Sequence, residues 1–413
     1  MIRIHVGSWL TVRRIQVHAL LLAVGIWTAY AVNLNTPGLR DRGGQIKGSD
    51  FLHFYTLGTL AHQNRGDLLY NIPEQTDLLQ KIVPEARGYI YVPLYGPQVS
   101  LFFCPFAYLP YSRAWVAWSL LNVLIYAACC YAVWKCCANL GGHGWTVLLA
   151  ACAFPGISQL LVWGQTSGLA LLFFALAYLA LRNKRDFLAG LAIGCLIFKP
   201  QLGLAASVVF LCTQRWKILS GALLSGSLQL MIAWLHYGSS VMRDYVDALA
   251  RSGHLMALLE PRLYQTHSLR TFWSMIMPWP GAAFGFYLAS AAIVLILVVR
   301  CWRAEPGLEV QFPALLMATV LVSPHLTVYD LVILAPAFLL LADWTAARVS
   351  EKQSRQLQLL IYSCFGLFLL GPIVRVVHVQ FSVIAMTAMV VILSRKAIPG
   401  NPAIVRPLSR SGA

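Results

Sequence analysis

Charged residues are scarce in this sequence of 413 residues. Asp, Glu, Lys and Arg make up 11% of the chain, whereas 59% of its residues are hydrophobic. Soluble globular domains carry about 25% charged residues. The apolar runs of about 20 residues can each cross a hydrocarbon core of about 30 Å. The sequence therefore predicts an all-α polytopic membrane protein, and no separate soluble domain is expected.

Two kinds of motif are also missing. The 10 cysteines lie nearly all within or at the ends of apolar runs and form no CxxC pair, so we expect apolar fillers rather than metal or disulfide chemistry. No nucleotide-binding fingerprint occurs, which is consistent with a donor presented from the membrane. We expect no cofactor and no metal site, and the sequence leaves metal dependence open.

Positive charge, in contrast, is in excess, with 31 Lys and Arg against 15 Asp and Glu. In a soluble protein this excess would suggest nucleic acid as a partner, but here the basic residues flank apolar runs. The positive-inside rule places such clusters on the cytoplasmic side, so we expect no nucleic-acid partner. The clusters are Arg3/Arg13/Arg14, Arg182/Lys184/Arg185, Arg215/Lys217, Arg300/Arg303, Arg348/Lys352/Arg355 and Arg395/Lys396/Arg406/Arg410.

If every basic cluster lies inside, an even number of membrane crossings must separate successive clusters. A first span at 15–32 leads to a charge-balanced external loop at 33–91. The proline-rich segment 96–110 is short, so we expect it to be re-entrant or interfacial. Residues 187–212 must return to the same side, which predicts two half-helices meeting at Lys199-Pro-Gln201. This pattern predicts about 10–13 transmembrane helices, both termini inside and a basic cytoplasmic tail at 395–413.

The same topology places five polar residues on the external side, although only the basic clusters were used to derive it. Ionisable groups at membrane depth are costly and therefore indicate a functional site by default. We predict a multi-pass plasma (inner) membrane protein whose active site faces the external or periplasmic side. The five residues are Asp50, Gln165, Lys199, His325 and Asp330.

Asp50 lies near the start of the segment Gly48-Ser-Asp-Phe-Leu-His-Phe-Tyr55, in which His53 and Tyr55 follow it on one predicted helical face. One interpretation is a general base beside the bilayer surface. The other is that Ser49 or Asp50 caps an amphipathic helix, which would produce the same pattern. Spacing alone does not separate the two.

Lys199 and His325 each lie at a break in an apolar run, beside Pro200 and Pro324. Together these breaks can form an anion site, because a phosphate leaving group needs the charge-assisted donors that Lys or protonated His supplies. The alternatives are a lysine that snorkels to an interface and a histidine that satisfies a helix end.

Several short motifs occur in a fixed order along the chain, and in that order they resemble glycosyltransferase family 87 of the GT-C superfamily. The resemblance implies a GT-C-like helical bundle with a long first external loop, and a donor in which the sugar is attached to a polyprenyl phosphate. The motifs are Ser49-Asp-Phe with Phe54-Tyr55, Gly66-Asp-Leu-Leu-Tyr70, Tyr91-Val-Pro-Leu-Tyr-Gly-Pro97, Phe106-Ala-Tyr-Leu-Pro110, Trp118-Ser-Leu-Leu-Asn122, Gly164-Gln165, Lys199-Pro200 and Ser323-Pro-His-Leu-Thr-Val-Tyr-Asp330.

Roles for the polar residues follow from this resemblance. An acidic residue in the first external loop acts as the base in that superfamily, and Asp50 is the matching position. Lys199 and His325 would steady the departing lipid phosphate, and one displacement implies inversion at the anomeric carbon. The resemblance implies mannose or arabinofuranose, with mannose preferred, and a lipid or cell-envelope glycan acceptor. The remaining expected substrate-binding residues are His53, Tyr55, Gln165, Tyr329 and Asp330.

Two other classes of membrane protein compete with this interpretation. A transporter or flippase of a lipid-linked or anionic substrate would also show broken helices and charges at membrane depth. Against it, the two halves show no inverted repeat, and the loop at 33–91 is longer than a simple connection needs. A scaffolding protein, the second alternative, would not need Lys199 and His325 on the same side of the membrane.

Overall fold

The computed structural model describes residues 11–251, 262–348 and 352–396. Within these ranges the chain is helical, with isolated antiparallel bridges at Arg40–Ile46 and Thr266–Thr327 and no strand. The predicted all-α class is confirmed. Arg3 and the tail from residue 397 onward, where the basic tail was predicted, lie outside the described residues.

The α-helices are numbered here in chain order. They are α1 (Val12–Leu34), α2 (Ser49–His62), α3 (Ile72–Ile82), α4 (Gln98–Phe103), α5 (Tyr111–Trp134), α6 (Gly144–Ala153), α7 (Pro155–Trp163), α8 (Ser167–Arg182), α9 (Asp186–Gly194), α10 (Pro200–Cys212), α11 (Trp216–Arg251), α12 (Leu269–Ile276), α13 (Pro280–Ala304), α14 (Leu308–Val322), α15 (Ala335–Ala346), α16 (Lys352–Leu367), α17 (Gly371–Val377) and α18 (Phe381–Lys396). Short 3-10 helices occupy Gly66–Leu68, Pro84–Ala86, Cys104–Tyr108, Gly141–His143, Cys195–Phe198, Leu263–Gln265 and Val328–Leu334.

In the described part of the chain, five helical segments are long and apolar enough to cross a membrane. They are α1, α5, α11, α13 and the continuous segment Val328–Ala346, and two bent pairs raise the number to seven. Shorter apolar helices, among them α8, α10 and α14, pack beside these spans. The polytopic membrane class is confirmed, and the predicted number of crossings stays a prediction.

Proline positions explain several of the breaks. The apolar run from Trp145 to Trp163 predicts one span, but it forms two helices, α6 and α7, which meet at an angle of 41° because Pro155 begins α7. Pro200 likewise begins α10, and Lys199 before it has left the helical conformation, so the chain breaks where two half-helices were predicted to meet. The ring of proline removes an N–H and fits best in the first turn of a helix.

The long loop predicted at 33–91 contains two helices, α2 and α3. α2 is not amphipathic: Phe51, Leu52 and Phe54 are fully buried, and most of its other residues are at most 7% exposed. Hydropathy predicts a span from Ile218 to His236 and an external loop from there to about Pro280, but α11 continues to Arg251 across a left-handed break at Gly238. The sequence pattern missed this extension because its residues mix polar and apolar types.

α1 lies at the edge of the bundle. Ala23 is its one buried residue, and the helix packs mainly against α6. Two hydrogen bonds join these helices: the Gln16 amide donates to Thr146 Oγ1 at 2.8 Å, and the Trp27 indole donates to the Cys152 carbonyl at 2.9 Å.

Candidate active site

Four segments that are far apart in the sequence meet in one cluster of hydrogen-bonded side chains. The start of α2, the turn between α7 and α8, the break before α10 and the 3-10 helix Val328–Leu334 each contribute to it. We call this the polar cluster, and its members are Asp50, Gln165, Ser167, Lys199, Tyr329 and Asp330. The structure thus brings together four of the five residues predicted to share a side of the membrane, and His325 lies close by in the same loop as Asp330.

The backbone at the start of α2 excludes the interpretation of Asp50 as a helix cap. Gly48 is the N-cap residue, with φ of 66°, and no side chain caps the helix. A Cβ at Gly48 would lie 2.3 Å from the Trp115 ring, so both the conformation and the space require glycine. Asp50 is therefore in the first helical turn and is not a cap. Its carboxylate instead accepts a hydrogen bond from outside its own helix.

Gln165 supplies that hydrogen bond. Its Nε2 donates to Asp50 Oδ2 at 2.9 Å and to the Tyr329 hydroxyl at 3.3 Å. The Thr166 backbone N–H donates to Gln165 Oε1 at 3.0 Å, which fixes the amide with its nitrogen toward Asp50. Gln165 therefore links α2 to the 3-10 helix that carries Tyr329.

The turn that carries Gln165 packs directly on α2. Gly164 has φ of 69°, and a Cβ there would lie 2.7 Å from the Cβ of Phe51. The Trp118 indole donates to the Gly164 carbonyl at 2.9 Å, and its ring stacks on Phe51. Glycine is required at this position, because any side chain would separate Gln165 from Asp50.

Lys199 and Asp330 form a buried ion pair. Lys199 Nζ lies 2.8 Å from Asp330 Oδ1, and the side chains are 4% and 3% exposed. Ser167 bridges the two, since its hydroxyl donates to Asp330 at 2.5 Å and accepts from Lys199 at 3.0 Å. Asp330 Oδ2 also accepts from the Thr327 backbone N–H at 3.2 Å. The ammonium points into the protein, so Lys199 is not a snorkelling lysine, and its charge is balanced by a carboxylate.

Asp50, unlike Asp330, is only partly buried, and within the described residues it forms no ion pair. Burial raises its pKa from 3.8 to about 6, against the lowering effects of the Gln165 hydrogen bond and of the Lys199 charge. A carboxyl group with this pKa is mostly ionised at pH 7 and is a stronger base than an ordinary aspartate.

The structure separates the other two predicted residues of α2. His53 lies one turn after Asp50, and its ring stacks on Tyr91 with centroids 5.0 Å apart. Its Nε2 is buried without a hydrogen-bond partner, and burial lowers the pKa of His53 to about 4. Tyr55 points elsewhere: its hydroxyl donates to the Leu109 carbonyl at 2.7 Å. Successive helical residues are rotated by about 100°, so residues 50 and 55 cannot share a face.

His325 is partly buried beside the polar cluster. Burial lowers its pKa to about 4; Asp330 opposes this effect, and Lys199 and Arg270 add to it. His325 is therefore neutral at pH 7 in this state. The Arg270 guanidinium donates to the carbonyl of Pro324, which ties α12 to the loop that carries His325.

Three residues of this region were missed by the sequence reasoning: Ser167, Tyr91 and Tyr95. The Tyr91 hydroxyl donates to the Ser49 carbonyl. Burial raises the pKa of Tyr95, whereas Lys199 and a hydrogen bond with Gln165 lower it, so this phenol also faces the cluster. The two tyrosines stand in the motif Tyr91-Val-Pro-Leu-Tyr-Gly-Pro97, and their place there was a signal that could have found them.

The chain matches a known family of enzymes. Residues 94–324, more than half of the chain, match the model of glycosyltransferase family 87. The chain belongs to glycosyltransferase family 87. Neither a curated protein nor a solved structure matches it. The matched range of this membrane glycosyltransferase contains Gln165, Ser167 and Lys199, whereas Asp50, His325 and Asp330 lie outside it.

A family 87 enzyme needs a sugar donor and an acceptor at one site, and the polar cluster supplies the groups for such chemistry. It combines a carboxylate of raised basicity with hydroxyl, amide and ammonium donors. In the ranges that the structure describes, no group of three or more His, Cys, Asp or Glu side chains could hold a metal ion.

Proposed function

We propose that this glycosyltransferase moves a sugar from a polyprenyl-phosphate donor to a lipid or cell-envelope glycan on the external face of the plasma membrane. Mannose is the first sugar to test and arabinofuranose the second. The observation that carries the proposal is the state of Asp50, a partly exposed carboxylate with a pKa of about 6 that is held in place by Gln165.

Asp50 is the general base in this mechanism. It accepts the proton of an acceptor hydroxyl while that oxygen forms a bond to the anomeric carbon of the donor sugar. The bond from that carbon to the phosphate oxygen breaks, and the phosphate leaves with the electron pair. A single displacement inverts the anomeric carbon. Base catalysis of this kind contributes typically 10²–10⁴-fold to the rate.

The neighbouring groups hold the substrate in this proposal. The Gln165 amide keeps one oxygen of Asp50 occupied and so directs the other toward the acceptor. Tyr329 and Asp330 meet sugar hydroxyls from the opposite side of the cluster. The unpartnered Nε2 of His53, which lies one helical turn after Asp50, would pair with a hydroxyl of the bound substrate.

The leaving phosphate is assigned to Lys199 and His325. The phosphate must share the ammonium of Lys199 with Asp330, because these two residues already form a pair at 2.8 Å. His325 is neutral before binding, but an anion beside it would raise its pKa and favour the imidazolium. Donor binding should therefore be accompanied by proton uptake.

A direct test uses purified protein with a mixed lipid acceptor pool. The donors are polyprenyl-phosphate mannose, polyprenyl-phosphate arabinofuranose and a nucleotide sugar of each. We expect transfer from one lipid-linked donor and none from the nucleotide sugars, with the product inverted at the anomeric carbon. Transfer from a nucleotide sugar alone would overturn the proposed donor class and leave the family membership intact.

The orientation is tested separately with single cysteines in a protein without its native thiols. Arg87, in the segment after α3, and Lys184, between α8 and α9, are both exposed. A membrane-impermeant thiol reagent applied to intact cells should label Arg87→Cys and not Lys184→Cys. The reverse pattern would place the polar cluster on the cytoplasmic side.

A further inference from the structure

A large apolar cavity lies behind α1, bounded by α1, α6, α15 and α16. Its volume is about 640 Å³, and its walls are mostly aliphatic and aromatic. An apolar cavity of about 150 Å³ stays dry and binds benzene, so this one has room for a much longer hydrocarbon. The lining includes no residue of the polar cluster, which makes the cavity a separate site.

The depth of the cavity corresponds to one leaflet of a bilayer. Along α1 the lining begins at Val12 and ends at Leu22, and ten helical residues span about 15 Å. That is about half of the hydrocarbon core of about 30 Å. At the deep end Phe154, Phe338 and Phe365 pack on one another and close the space.

At the shallow end of the cavity, where α1 begins, basic residues stand close in sequence to the lining. Two arginines follow Val12 at the start of α1, Arg348 stands three residues after Thr345 of the lining, and two basic residues of α16 precede Gln358 of the lining. Asp343 lies at the same end, where it accepts hydrogen bonds from the backbone N–H groups of residues 139 and 140. The basic residues are Arg13, Arg14, Arg348, Lys352 and Arg355.

One polar contact crosses the wall of the cavity. The Tyr362 hydroxyl and His18 Nδ1 lie 2.7 Å apart and join α16 to α1. Because these two groups satisfy each other, an apolar guest can fill the space without leaving either of them without a partner. Together with the weak packing of α1 on the bundle, this geometry allows entry from the side of the membrane.

We propose that the cavity binds the acyl chains of an anionic glycerophospholipid taken from the leaflet at its basic end. The chains fill the apolar space to the bilayer midplane, and the phosphate head group lies against Arg13, Arg14 and Arg348. Basic pockets between transmembrane helices bind anionic head groups in this way. A polyprenyl chain is longer than one leaflet is deep, so the depth of the cavity favours a phospholipid.

Filling the cavity tests the chain site. Gly366 lines it, and a Cβ added there meets no atom within 4 Å, so Gly366→Leu should fold while it occupies part of the space. Gly285 on α13 has the same open surroundings and does not line the cavity, so Gly285→Leu is the matched control. Native mass spectrometry of delipidated protein, after addition of phosphatidylglycerol in detergent, should show retained lipid for wild type and for Gly285→Leu, and at least a tenfold loss for Gly366→Leu.

The head-group site is tested with exposed residues, whose replacement leaves the helices intact. Each cation near a lipid surface strengthens anionic binding about fivefold, so Arg13→Gln/Arg14→Gln should retain roughly 25-fold less phosphatidylglycerol with no change for phosphatidylcholine of the same chains. Equal retention of the two phospholipids by wild type, or full retention by Gly366→Leu, would refute the proposal. Displacement of phosphatidylglycerol by an equimolar polyprenyl phosphate would also refute it, by assigning the cavity to the donor lipid.

Discussion

The polar cluster and the cavity behind α1 lie in the same helical bundle but differ in what they bury: the cluster buries paired charges, and the cavity is an apolar space. In the cluster, two carboxylates and an ammonium are packed with a hydroxyl and an amide at distances of 2.5–3.0 Å. In the cavity, about 640 Å³ of space is lined mainly by hydrocarbon. Charges removed from water need partners at fixed positions, whereas an apolar wall needs only the right amount of space.

The two regions differ in how strongly a single substitution should affect them. One lost partner in the cluster leaves a charge or a polar atom unsatisfied, so single substitutions there should have large effects. Small changes of side-chain volume in the cavity wall should be tolerated.

Asp50→Asn should reduce sugar transfer by 10²–10⁴-fold, because an amide keeps the shape of the carboxylate and cannot accept the proton. The same change should stabilise the protein at pH 8. Because the pKa of Asp50 is higher in the folded protein than in the unfolded chain, protonation of Asp50 stabilises the fold. This contribution to the free energy of unfolding is fully present below about pH 4 and is lost as the pH rises through about 6. Asparagine stays neutral, which restores about 3 kcal/mol at pH 8. Initial rates and thermal unfolding measure the two effects.

The control for Asp50→Asn is Asp77→Asn on the exposed face of α3, which should alter neither rate nor stability. Near-normal turnover of Asp50→Asn would assign the base to another residue, and Asp330 would then be the next to test.

Lys199→Met should destabilise the protein by about 3–5 kcal/mol, because it leaves the Asp330 carboxylate buried without its cation. The double variant Lys199→Met/Asp330→Leu should regain most of that loss. The comparison is the exposed pair of Arg215 and Glu305, where Arg215→Met should cost about 0–1 kcal/mol. A double variant that is as unstable as the sum of its parts would show that packing, and not charge, holds these residues.

Gln165→Leu should move the pH dependence of transfer. The hydrogen bond from Gln165 lowers the pKa of Asp50, so its loss should raise the midpoint from near 6 by roughly one pH unit. At pH 6 the variant should therefore be impaired, and at pH 9 it should approach the limiting rate of its own profile. Initial rates from pH 5 to 9 test this, and a midpoint that falls would show that Gln165 does not stabilise the ionised form.

Gly156→Ala and Gly366→Ala should change stability in opposite directions. A Cβ at Gly156 would lie 2.8 Å from the Val332 backbone nitrogen, in the contact between α7 and the 3-10 helix of the cluster, so the variant should lose about 1–3 kcal/mol. At Gly366 there is open space, and alanine should add up to about 1 kcal/mol through helix propensity. Loss of stability in both variants would show that the cavity wall is as tightly packed as the cluster.

The convergence of the site was largely predictable from the sequence. The assumption that all basic clusters lie on one side of the membrane predicted a common side for Asp50, Gln165, Lys199 and Asp330, without knowledge of packing. The partnership of Lys199 with Asp330 was not predictable. Which of several nearby groups neutralises a buried ammonium depends on distances of a few tenths of an ångström, and hydropathy carries no such information.

The burial of α2 was harder to predict than the site that it carries. Its polar neighbours on both sides suggested a loop or a surface helix, and the sequence does not show that Phe51 would stack on Trp118 inside the bundle. Tyr55 was expected beside Asp50, yet its hydroxyl bonds to the Leu109 carbonyl. Aromatic residues fit either a core or a binding site, and only their contacts decide between the two.

The wall between the two regions is thin. Gly156 touches the backbone of Val332, Phe154 before it lines the cavity, and Ala335 of the lining follows directly on the 3-10 helix that carries Asp330. If a lipid in the cavity shifts this wall, its binding free energy is coupled to that of the sugar donor. Such coupling is reciprocal: a lipid that strengthens donor binding tenfold must itself be bound tenfold more tightly by the donor-loaded enzyme. In the proposed orientation, the composition of one leaflet would then set the donor affinity of a site that faces the other leaflet.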